Sequence, residues 1–580
     1  MPEMVIHRNT SDYIYPETRN QLVFLLKTEK EKVMSVTLKY FSRTTPDVKK
    51  EEKMRFILRD DVMDIWECKV TFPKIARYQK YFFILEYADG RIVYFTSTGC
   101  MTKEPKNDYF EFLYANPNDC IDVPKWAKGC IYYQIFPERF CNGDTSNDPK
   151  EICEWGTAPT RENYMGGDIA GIRKKIPYLR ELGIECIYLN PIFEGDFNHK
   201  YATTDYYKVD PIFGTNEEFA ELVKECHEAE IRILLDGVFN HTGIHFAPFQ
   251  DAFEKGKQSM YYDWFFFTAD KPMITHHDYE CVGAYKYMPK LNTANPEVRE
   301  YVIDVMDYWI REYGIDGWRL DVADEVDGTL WNEARYRLKK KYPEMLLLGE
   351  TWGDGGNLLD GKKMDAVMNY CFRDAVRDYY GLGVIDAEEF GIRINRMLGA
   401  NRRITNKVQY NLLDSHDTER FLFYCNESKD RMRLAVAFQM LFEGSPAIYY
   451  GDEVGITGEN DPDCRKCMVW DDKADKGMFK YYQSLIALRK RYTSLRLGDY
   501  RLLYTLAFED LVVFSRSYGD ENITVIIHGK ADEDTAPKGI IPDGIVYKLD
   551  KDGDLTEKDK VPTVLEPESV YVIVQRRKQK

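Results

Sequence analysis

"NEEFAELVKECHEAEIRILLDGVFNH", residues 216–241, joins an amphipathic segment to an apolar one. In the first half, apolar residues recur at intervals of three and four, which predicts a helix. The second half begins as a continuous apolar run, which predicts a buried strand. Two further strand-like runs, "GIECIYLNPIF" (183–193) and "IDGWRLDVADE" (315–325), flank it. Strands that alternate with helices form parallel sheets, so this part of the chain predicts an α/β fold.

The alternation of apolar runs and amphipathic segments begins at Gly129 and continues to residue 453. Eight strand candidates, separated by helical segments, predict a (β/α)8 TIM barrel in which the parallel strands close on themselves. Besides the three runs already quoted, the strand candidates are "GCIYYQIF", "EMLLLGETW", "MDAVMNY", "KVQYNLLDSHD" and "SPAIYYGDE".

The regions on either side of the barrel show the two-residue alternation of β-strands. We predict an amino-terminal β-sandwich over residues 1–122, with a hairpin turn at Asp89–Gly90, and a carboxy-terminal β-sandwich over residues 495–580. The barrel itself is assigned to residues 123–494. Within it, residues 242–294 are rich in aromatic residues and lack a clear helical pattern, so we predict a small inserted domain.

The composition excludes several classes of partner. The 580 residues carry a net charge of −17, which argues against nucleic acid and anionic membranes as partners. No apolar run is long enough for a membrane span, and the first twenty residues lack the apolar region of a signal peptide. Thirteen scattered cysteines fit reduced thiols, and the lone pair Cys464 and Cys467 does not supply a zinc site. We therefore predict a cytoplasmic protein.

Polar residues interrupt the ends of four predicted strands. In barrels of this kind the chemistry takes place at the carboxyl ends of the strands, so these side chains are expected to meet at one rim. Carboxylates and histidines without cysteine ligands suit acid/base chemistry better than zinc. Each residue alone also has a structural explanation, such as an internal ion pair or a helix cap. The residues are Asp236, Asn240, His241, Arg319, Asp321, Glu350, His416 and Asp417.

Two of these carboxyl groups suit glycoside hydrolysis, which needs an acid and an anion on either side of the scissile bond. Glu350 follows the apolar run "MLLLG", so its pKa is expected to be raised, as a general acid requires. Asp321 lies two residues after Arg319 and on the same strand face, so it is expected to stay ionised and to act as the nucleophile.

The motifs "DGVFNH", "GWRLDVADE", "GETW" and "LLDSHD" resemble, in that order, those of glycoside hydrolase family 13, the α-amylase family. The resemblance implies that Asp321 is the nucleophile, Glu350 the acid/base and Asp417 the residue that stabilises the transition state. It further implies four residues that bind the sugar at the cleaved bond: Tyr201 as a stacking platform, and His241, Arg319 and His416.

"MPKLN" (288–292) and "YQIFPERFCNGD" (133–144) are similar to the neopullulanase, cyclomaltodextrinase and maltogenic amylase subgroup of that family. This resemblance implies hydrolysis of α-1,4 bonds in cyclodextrins, pullulan, starch and maltooligosaccharides, accompanied by transglycosylation, and leaves α-1,6 cleavage open. It also implies that the amino-terminal module is starch-binding-like and helps to form a homodimer.

The same resemblance implies two further sites. Asp461 and Arg465 match positions that bind sugars further from the cleaved bond, although a surface ion pair is the alternative. A structural calcium ion is implied near the first barrel strand, where oxygen ligands suit a hard cation; the alternative is an ordinary turn rich in Asn and Asp. The implied calcium ligands are Asn142, Asp144, Asn147, Asp148, Gly166 and Asp168.

Two stretches depart from the family pattern. "GDGGNLLDG" follows "GETW" where relatives carry bulkier residues, and Asp324 precedes Glu325 where Asn is commoner. Both departures bear on product preference. Two alternatives also stay open: a sugar-binding barrel without catalysis, disfavoured because all three carboxylates are present, and an isomerase or glucosidase for small sugars, disfavoured by "MPKLN" and the amino-terminal module.

Overall fold

The amino-terminal module consists of two antiparallel sheets packed face to face. The computed structural model describes residues 4–273, 278–506, 509–530 and 532–576. One sheet contains β1, β2, β3, β6 and β7, and the other contains β4, β5 and β8 to β11. Their apolar faces share one core, which confirms the predicted sandwich. The strands are β1 Val5–Ile6, β2 Ile14–Thr18, β3 Gln21–Glu29, β4 Val33–Ser42, β5 Lys50–Lys53, β6 Arg55–Arg59, β7 Met63–Thr71, β8 Arg77–Tyr87, β9 Ile92–Thr96, β10 Gly99–Met101 and β11 Phe110–Tyr114.

Eight parallel strands form the barrel. Their order in the sheet is β19-β18-β17-β16-β13-β12-β21-β20, and a parallel bridge from Met368 to Tyr410 closes the ring between β19 and β20. All eight predicted strands are confirmed. The strands of this region, including the hairpin β14–β15, are β12 Tyr132–Ile135, β13 Cys186–Leu189, β14 Phe193–Asp196, β15 Ala202–Val209, β16 Arg232–Gly237, β17 Gly317–Leu320, β18 Leu346–Gly349, β19 Ala366–Val367, β20 Tyr410–Leu412 and β21 Ser445–Tyr449.

Helices surround the barrel, and α4 shows why they form. The side chain of Thr215 accepts a hydrogen bond from the backbone N–H of Glu218, and the side chain of Glu218 accepts one from the backbone N–H of Thr215. This capping box satisfies two N–H groups that the helix leaves free. Its apolar residues share one buried face. The helices are α1 Pro137–Phe140, α2 Ile169–Lys174, α3 Ile176–Leu182, α4 Asn216–Glu228, α5 Ala247–Lys255, α6 Pro296–Tyr313, α7 Gly328–Lys341, α8 Tyr370–Val376, α9 Ala387–Ala400, α10 Arg403–Asn406, α11 Phe421–Tyr424, α12 Lys429–Leu441, α13 Lys476–Arg491 and α14 Thr493–Leu497.

The segment between β16 and α6 corrects one expectation. Residues 242–294 were expected to lack a clear helix, but α5 lies within them. This helix is only nine residues long and buries just Phe249 and Ala252 on its inner face. Two buried positions are too few to show a helical period among the neighbouring aromatic residues. The signal that could have revealed the helix is Pro248, because proline is common in the first turn of a helix.

The carboxy-terminal module has two β layers. One face of its six-stranded antiparallel sheet packs with the two-stranded sheet β25–β28, and the other joins the core of the barrel helices, so the predicted sandwich is confirmed. Among the described residues, no helix combines the length and the apolarity needed to span a bilayer. The strands are β22 Asp499–Leu506, β23 Glu509–Tyr518, β24 Glu521–His528, β25 Asp534–Thr535, β26 Ile545–Leu549, β27 Leu555–Lys558, β28 Val564–Leu565 and β29 Ser569–Arg576.

Candidate active site

Polar side chains point into the barrel interior near the carboxyl ends of the strands. Leu234 and Leu348 lie in the apolar cluster inside the barrel. Because strand side chains alternate, Asp236 points inward two residues after Leu234. Asp236 is paired in register with Arg319 of β17, and Arg319 in turn with Leu348 of β18. The apolar interior is therefore capped by a polar layer at the end where this fold holds its chemistry.

Arg319 joins three carboxylates at this rim. Its guanidinium has no exposed surface, and its Nη1 donates to both oxygens of Asp236 at 2.9 Å and to Oδ1 of Asp321 at 2.8 Å. Its Nη2 lies 2.8 Å from Oε2 of Glu350. Asp321 and Glu350 are therefore separated by no more than one guanidinium, which makes a hydrogen bond to Asp321 and an ion pair with Glu350. The two carboxyl groups predicted from sequence are thus within reach of a single glycosidic bond.

The direction of the pKa shift of Asp321 differs from the expectation. Burial raises the pKa of Asp321 well above its usual value, although Arg319 opposes the shift, and burial likewise raises the pKa of Glu350. The sequence-based prediction paired Arg319 with Asp321 alone. In the structure, three carboxylates share the charge of Arg319, so it stabilises the ionised form of Asp321 less than predicted. The prediction for Glu350 agrees with the direction of its shift.

Asp417 has the opposite electrostatic environment. Burial would raise the pKa of Asp417, but His416 and Arg465 outweigh it, and the pKa falls well below its usual value. Oδ2 lies 3.0 Å from Nε2 of His416, and Oδ1 accepts from Nη2 of Arg465 at 3.2 Å. Asp417 is thus a stable anion at the rim, which suits a group that stabilises positive charge on a sugar ring.

Gln134, which was not predicted, fixes the tautomer of His416. Its Nε2 donates to Nδ1 of His416 at 2.7 Å and to Oδ1 of Asn190 at 3.0 Å. With Nδ1 accepting, Nε2 is the nitrogen that carries a proton, and it lies 2.6 Å from the hydroxyl of Tyr201 and 3.0 Å from Oδ2 of Asp417. The missed signal was present: Gln134 is an amide inside the buried run "YYQIF", as Arg319 is a charge inside "GWRL".

Tyr201 and His241, which the resemblance assigns to sugar binding, also lie near this rim. The ring of Tyr201 stacks on His416 with centroids 5.5 Å apart, and its hydroxyl donates to Asp236 at 3.0 Å. His241 is buried, and neither ring nitrogen has a hydrogen-bond partner among the described residues. Burial lowers the pKa of His241 to about 3, so its neutral ring is able to bond a sugar hydroxyl.

Asp461, Arg465 and Asn240 lie around this centre. Nη1 of Arg465 is 3.0 Å from Oδ1 of Asp461, so Arg465 links Asp461 to Asp417. Arg465 therefore contacts the catalytic candidate Asp417 directly, and its role at more distant sugars stays a prediction. Asn240 instead bonds Lys290 of "MPKLN", which also donates to the backbone oxygen of Glu325 at 3.2 Å.

Val322 is a second residue that was not predicted. Its φ of 42° lies in the left-handed region, which is strained for a β-branched side chain. In this conformation its backbone N–H donates to Oε2 of Glu350 at 2.9 Å. No sequence pattern signals such a turn, because the strain is imposed by the surrounding contacts.

The implied calcium ligands gather in the loop before α2. Asp168 accepts backbone bonds from Gly143 at 2.9 Å and Asp144 at 2.8 Å, which folds the loop around its carboxylate. Oδ1 of Asn142 and Oδ1 of Asn147 are buried without a partner among the described residues.

Gly166, the fifth implied ligand position, leaves space beside them: a Cβ there would come 2.4 Å from Oδ1 of Asp148. The described residues contain no group of three or more His, Cys, Asp and Glu placed to hold a metal. Amide and backbone oxygens would therefore have to complete the site, and calcium accepts such ligands.

The rim of this barrel brings together a pair of carboxyl groups, a stable anion and an aromatic ring. These groups form the active site of a glycoside hydrolase. The family model described as alpha amylase, catalytic domain, matches residues 134–498, and that of the alpha amylase N-terminal ig-like domain matches residues 1–116. The chain belongs to the alpha-amylase family.

Several members of this family are similar along nearly the whole chain. The cyclomaltodextrinase of Thermoanaerobacter pseudethanolicus is 40% identical over 92% of this chain and 93% of its own length. Neopullulanase 2 of Thermoactinomyces vulgaris is 40% identical over 92% of each chain. A solved structure titled cyclomaltodextrinase superposes with a TM-score of 0.90 at 36% identity, covering 98% of this chain and 99% of the other.

Proposed function

We propose that this enzyme hydrolyses α-1,4 glucosidic bonds of cyclodextrins, maltooligosaccharides and related α-glucans, with retention of anomeric configuration. The observation that carries the proposal is the contact of Asp321 and Glu350 with one guanidinium, which places two carboxyl groups around one glycosidic bond, as glycoside hydrolysis requires. Retention is what the resemblance to the alpha-amylase family implies. The names of the relatives, cyclomaltodextrinase and neopullulanase, support the choice of substrates.

The mechanism is a double displacement. Asp321 attacks the anomeric carbon while protonated Glu350 gives its proton to the leaving oxygen, and a covalent glucosyl intermediate forms. Glu350, now a carboxylate that accepts a hydrogen bond from the backbone N–H of Val322, takes a proton from water. The water oxygen bonds to the anomeric carbon as the bond from this carbon to Asp321 breaks, which restores the Asp321 carboxylate. A sugar hydroxyl in place of water gives transglycosylation.

The surrounding residues stabilise the charge that develops during each displacement. Asp417 is ionised when the ring becomes oxocarbenium-like, and His416 and Arg465 hold it in position. Tyr201 offers its ring to the sugar, and His241 has free nitrogens for a hydroxyl. These residues determine where the sugar binds, whereas Asp321 and Glu350 perform the chemistry.

Product analysis on three substrates tests the proposal. With γ-cyclodextrin, pullulan and soluble starch supplied at equal glucose concentration, we expect the fastest release of reducing ends from γ-cyclodextrin. Fragments from pullulan will identify the bonds cleaved, including α-1,6 bonds. Binding of γ-cyclodextrin by calorimetry without release of reducing sugar would instead support the sugar-binding barrel, and a starch rate far above the cyclodextrin rate would reject the proposed preference.

We also propose a structural calcium ion held by Asn142, Asp144, Asn147, Asp148, Gly166 and Asp168. Support comes from the two buried amide oxygens without partners in the described part of the chain. Calcium would tie the loop after α1 to the first turn of α2, which Asp168 caps. The ion has no part in the displacement steps.

Chelation tests the calcium proposal through stability. We expect EDTA to lower Tm by several degrees and calcium to restore it, since a ligand at about 100 times its Kd adds about 2.7 kcal/mol. Magnesium should restore less, because it prefers a smaller octahedral site. An Asn147→Ala variant should lose most of the calcium effect. A Tm unchanged by both EDTA and calcium, with no bound metal by elemental analysis, would contradict the proposal.

A homodimer formed through the amino-terminal module and a location in the cytoplasm are further proposals. The dimer is supported by the family resemblance alone. The location is supported by the name of a Bacillus subtilis relative, intracellular maltogenic amylase, which is 41% identical over 82% of this chain. Sedimentation of the full chain against a variant without the first 122 residues would test the dimer.

A further inference from the structure

A cavity of about 740 Å³ lies at the end of the barrel opposite to the active site. Its walls come from the linker between the amino-terminal module and the barrel, the last turns of α7 and the loop before β19. Along the chain, these three segments come directly before strands β12, β18 and β19, so they lie at the amino ends of the barrel strands. The catalytic candidates lie at the carboxyl ends. The cavity is within the size range of small-ligand sites. Its lining is Pro117, Asn118, Cys120, Asp122, Asn332, Arg335, Tyr336, Lys339, Lys340, Pro343, Gly361 and Lys362.

The charge of this lining is unusual for the molecule. Four cationic side chains face one carboxylate, that of Asp122, although the whole chain carries a net charge of −17. A concentration of cations within an acidic protein creates a local positive potential that attracts anions. The cations are Arg335, Lys339, Lys340 and Lys362.

The internal acids do not neutralise these cations. Asp365, which is fully buried, lies 2.8 Å from both Arg335 and Lys339, so one carboxylate serves two cations. Burial lowers the pKa of Lys339, although Asp365 opposes the shift. Lys340 makes no hydrogen bond or ion pair within the described ranges. The carboxylate nearest the ammonium of Lys362 is that of Asp119 at 3.9 Å, while Asp360 accepts from the backbone N–H of Lys362 at 2.8 Å. The cavity therefore has an excess of positive charge and unused donors.

The uncharged residues of the lining suit a sugar ring. The side chain of Tyr336 is 59% exposed, and Pro117 and Pro343 line the same cavity. Aromatic faces pack against the C–H faces of ligands while their edges stay hydrated. Tyr336 lies one helical turn before Lys340 on α7, so an exposed ring and a cation are neighbours in the same cavity. This combination matches a ligand with an anionic group and a carbohydrate body. We propose that this cavity binds a phosphorylated monosaccharide, at a site separate from the glucan cleft.

Calorimetric titration of the full chain tests the proposal, with excess maltose present to occupy the glucan cleft. The probes are glucose 6-phosphate, glucose 1-phosphate, inorganic phosphate and glucose. We expect one saturable site for a sugar phosphate, weaker binding of inorganic phosphate and none of glucose. Binding should weaken as ionic strength rises, because the contacts are charged.

Three variants locate the site. Lys340→Gln combined with Lys362→Gln should weaken sugar phosphate binding by about tenfold, a change of about 1.4 kcal/mol. Tyr336→Ala should reduce sugar phosphate binding to the level of inorganic phosphate. Lys341→Gln is the control, because Lys341 lies on the same helix but pairs with Asp307 outside the cavity. Equal binding to the wild type and the double lysine variant, or no saturable binding of either sugar phosphate, would overturn the proposal.

Discussion

Asp321→Asn is expected to lower kcat on γ-cyclodextrin by roughly three to five orders of magnitude, because the amide cannot form the glucosyl intermediate. The amide keeps the shape of the side chain and its contact with Arg319. Ground-state binding should therefore change much less than turnover. Reducing-sugar release and calorimetric binding of γ-cyclodextrin measure the two effects separately.

The stability of Asp321→Asn should not fall with its activity. Burial already raises the pKa of Asp321, so the folded state disfavours its charge, and the neutral amide is expected to leave Tm unchanged or to raise it. Asp304→Asn, which changes an exposed aspartate on the outer helix α6, is the matched control and should leave both quantities unaltered. Near-normal turnover of Asp321→Asn would remove Asp321 as the nucleophile.

Azide distinguishes the two carboxyl roles. In Asp321→Ala, azide should enter the vacated space and attack from the nucleophile's side, giving a glycosyl azide of inverted configuration from an activated maltosyl substrate. In Glu350→Ala, the covalent intermediate still forms, so azide should give the retained product. The same product configuration from both variants would contradict the assignment of roles.

The fold was largely predictable because the barrel depends on a local pattern. Each barrel strand is a short apolar run next to an amphipathic helix, and hydrophobic periodicity reports both elements directly. The helix α5 was missed because its buried face is only two residues wide. A short helix in an aromatic-rich insertion owes its stability to tertiary packing, which periodicity does not record.

The site was predictable where a polar residue interrupts an apolar run. Arg319, Asp321 and Glu350 were found on that signal, and Gln134 could have been. The raised pKa of Asp321 was not predictable, because it depends on burial and on how many carboxylates share Arg319 in space. The contact of Arg465 with Asp417 joins two loops that are 48 residues apart, and no spacing rule relates them.

Arg319→Met is expected to have the largest effect on stability. The variant leaves Asp236, Asp321 and Glu350 buried together without their shared cation, and breaking a buried ion pair in this way costs about 3–5 kcal/mol. Denaturant unfolding measures the loss. Activity should also collapse, because without Arg319 the pKa of Asp321 rises further and less of the nucleophile is ionised at neutral pH.

The pH dependence of this loss identifies its cause. Carboxyl groups whose pKa is raised in the folded state support folding at low pH, and that support is lost as the pH rises through the folded pKa. The stability deficit of Arg319→Met relative to the wild type should therefore be larger at pH 8 than at pH 5. The acidic limb of the plot of its kcat against pH should shift to higher pH. Arg319→Lys keeps a charge but lacks the fork that reaches three carboxylates, so an intermediate deficit is expected. A deficit that is equal at both pH values would mean that lost packing, and not unpaired charge, explains the effect.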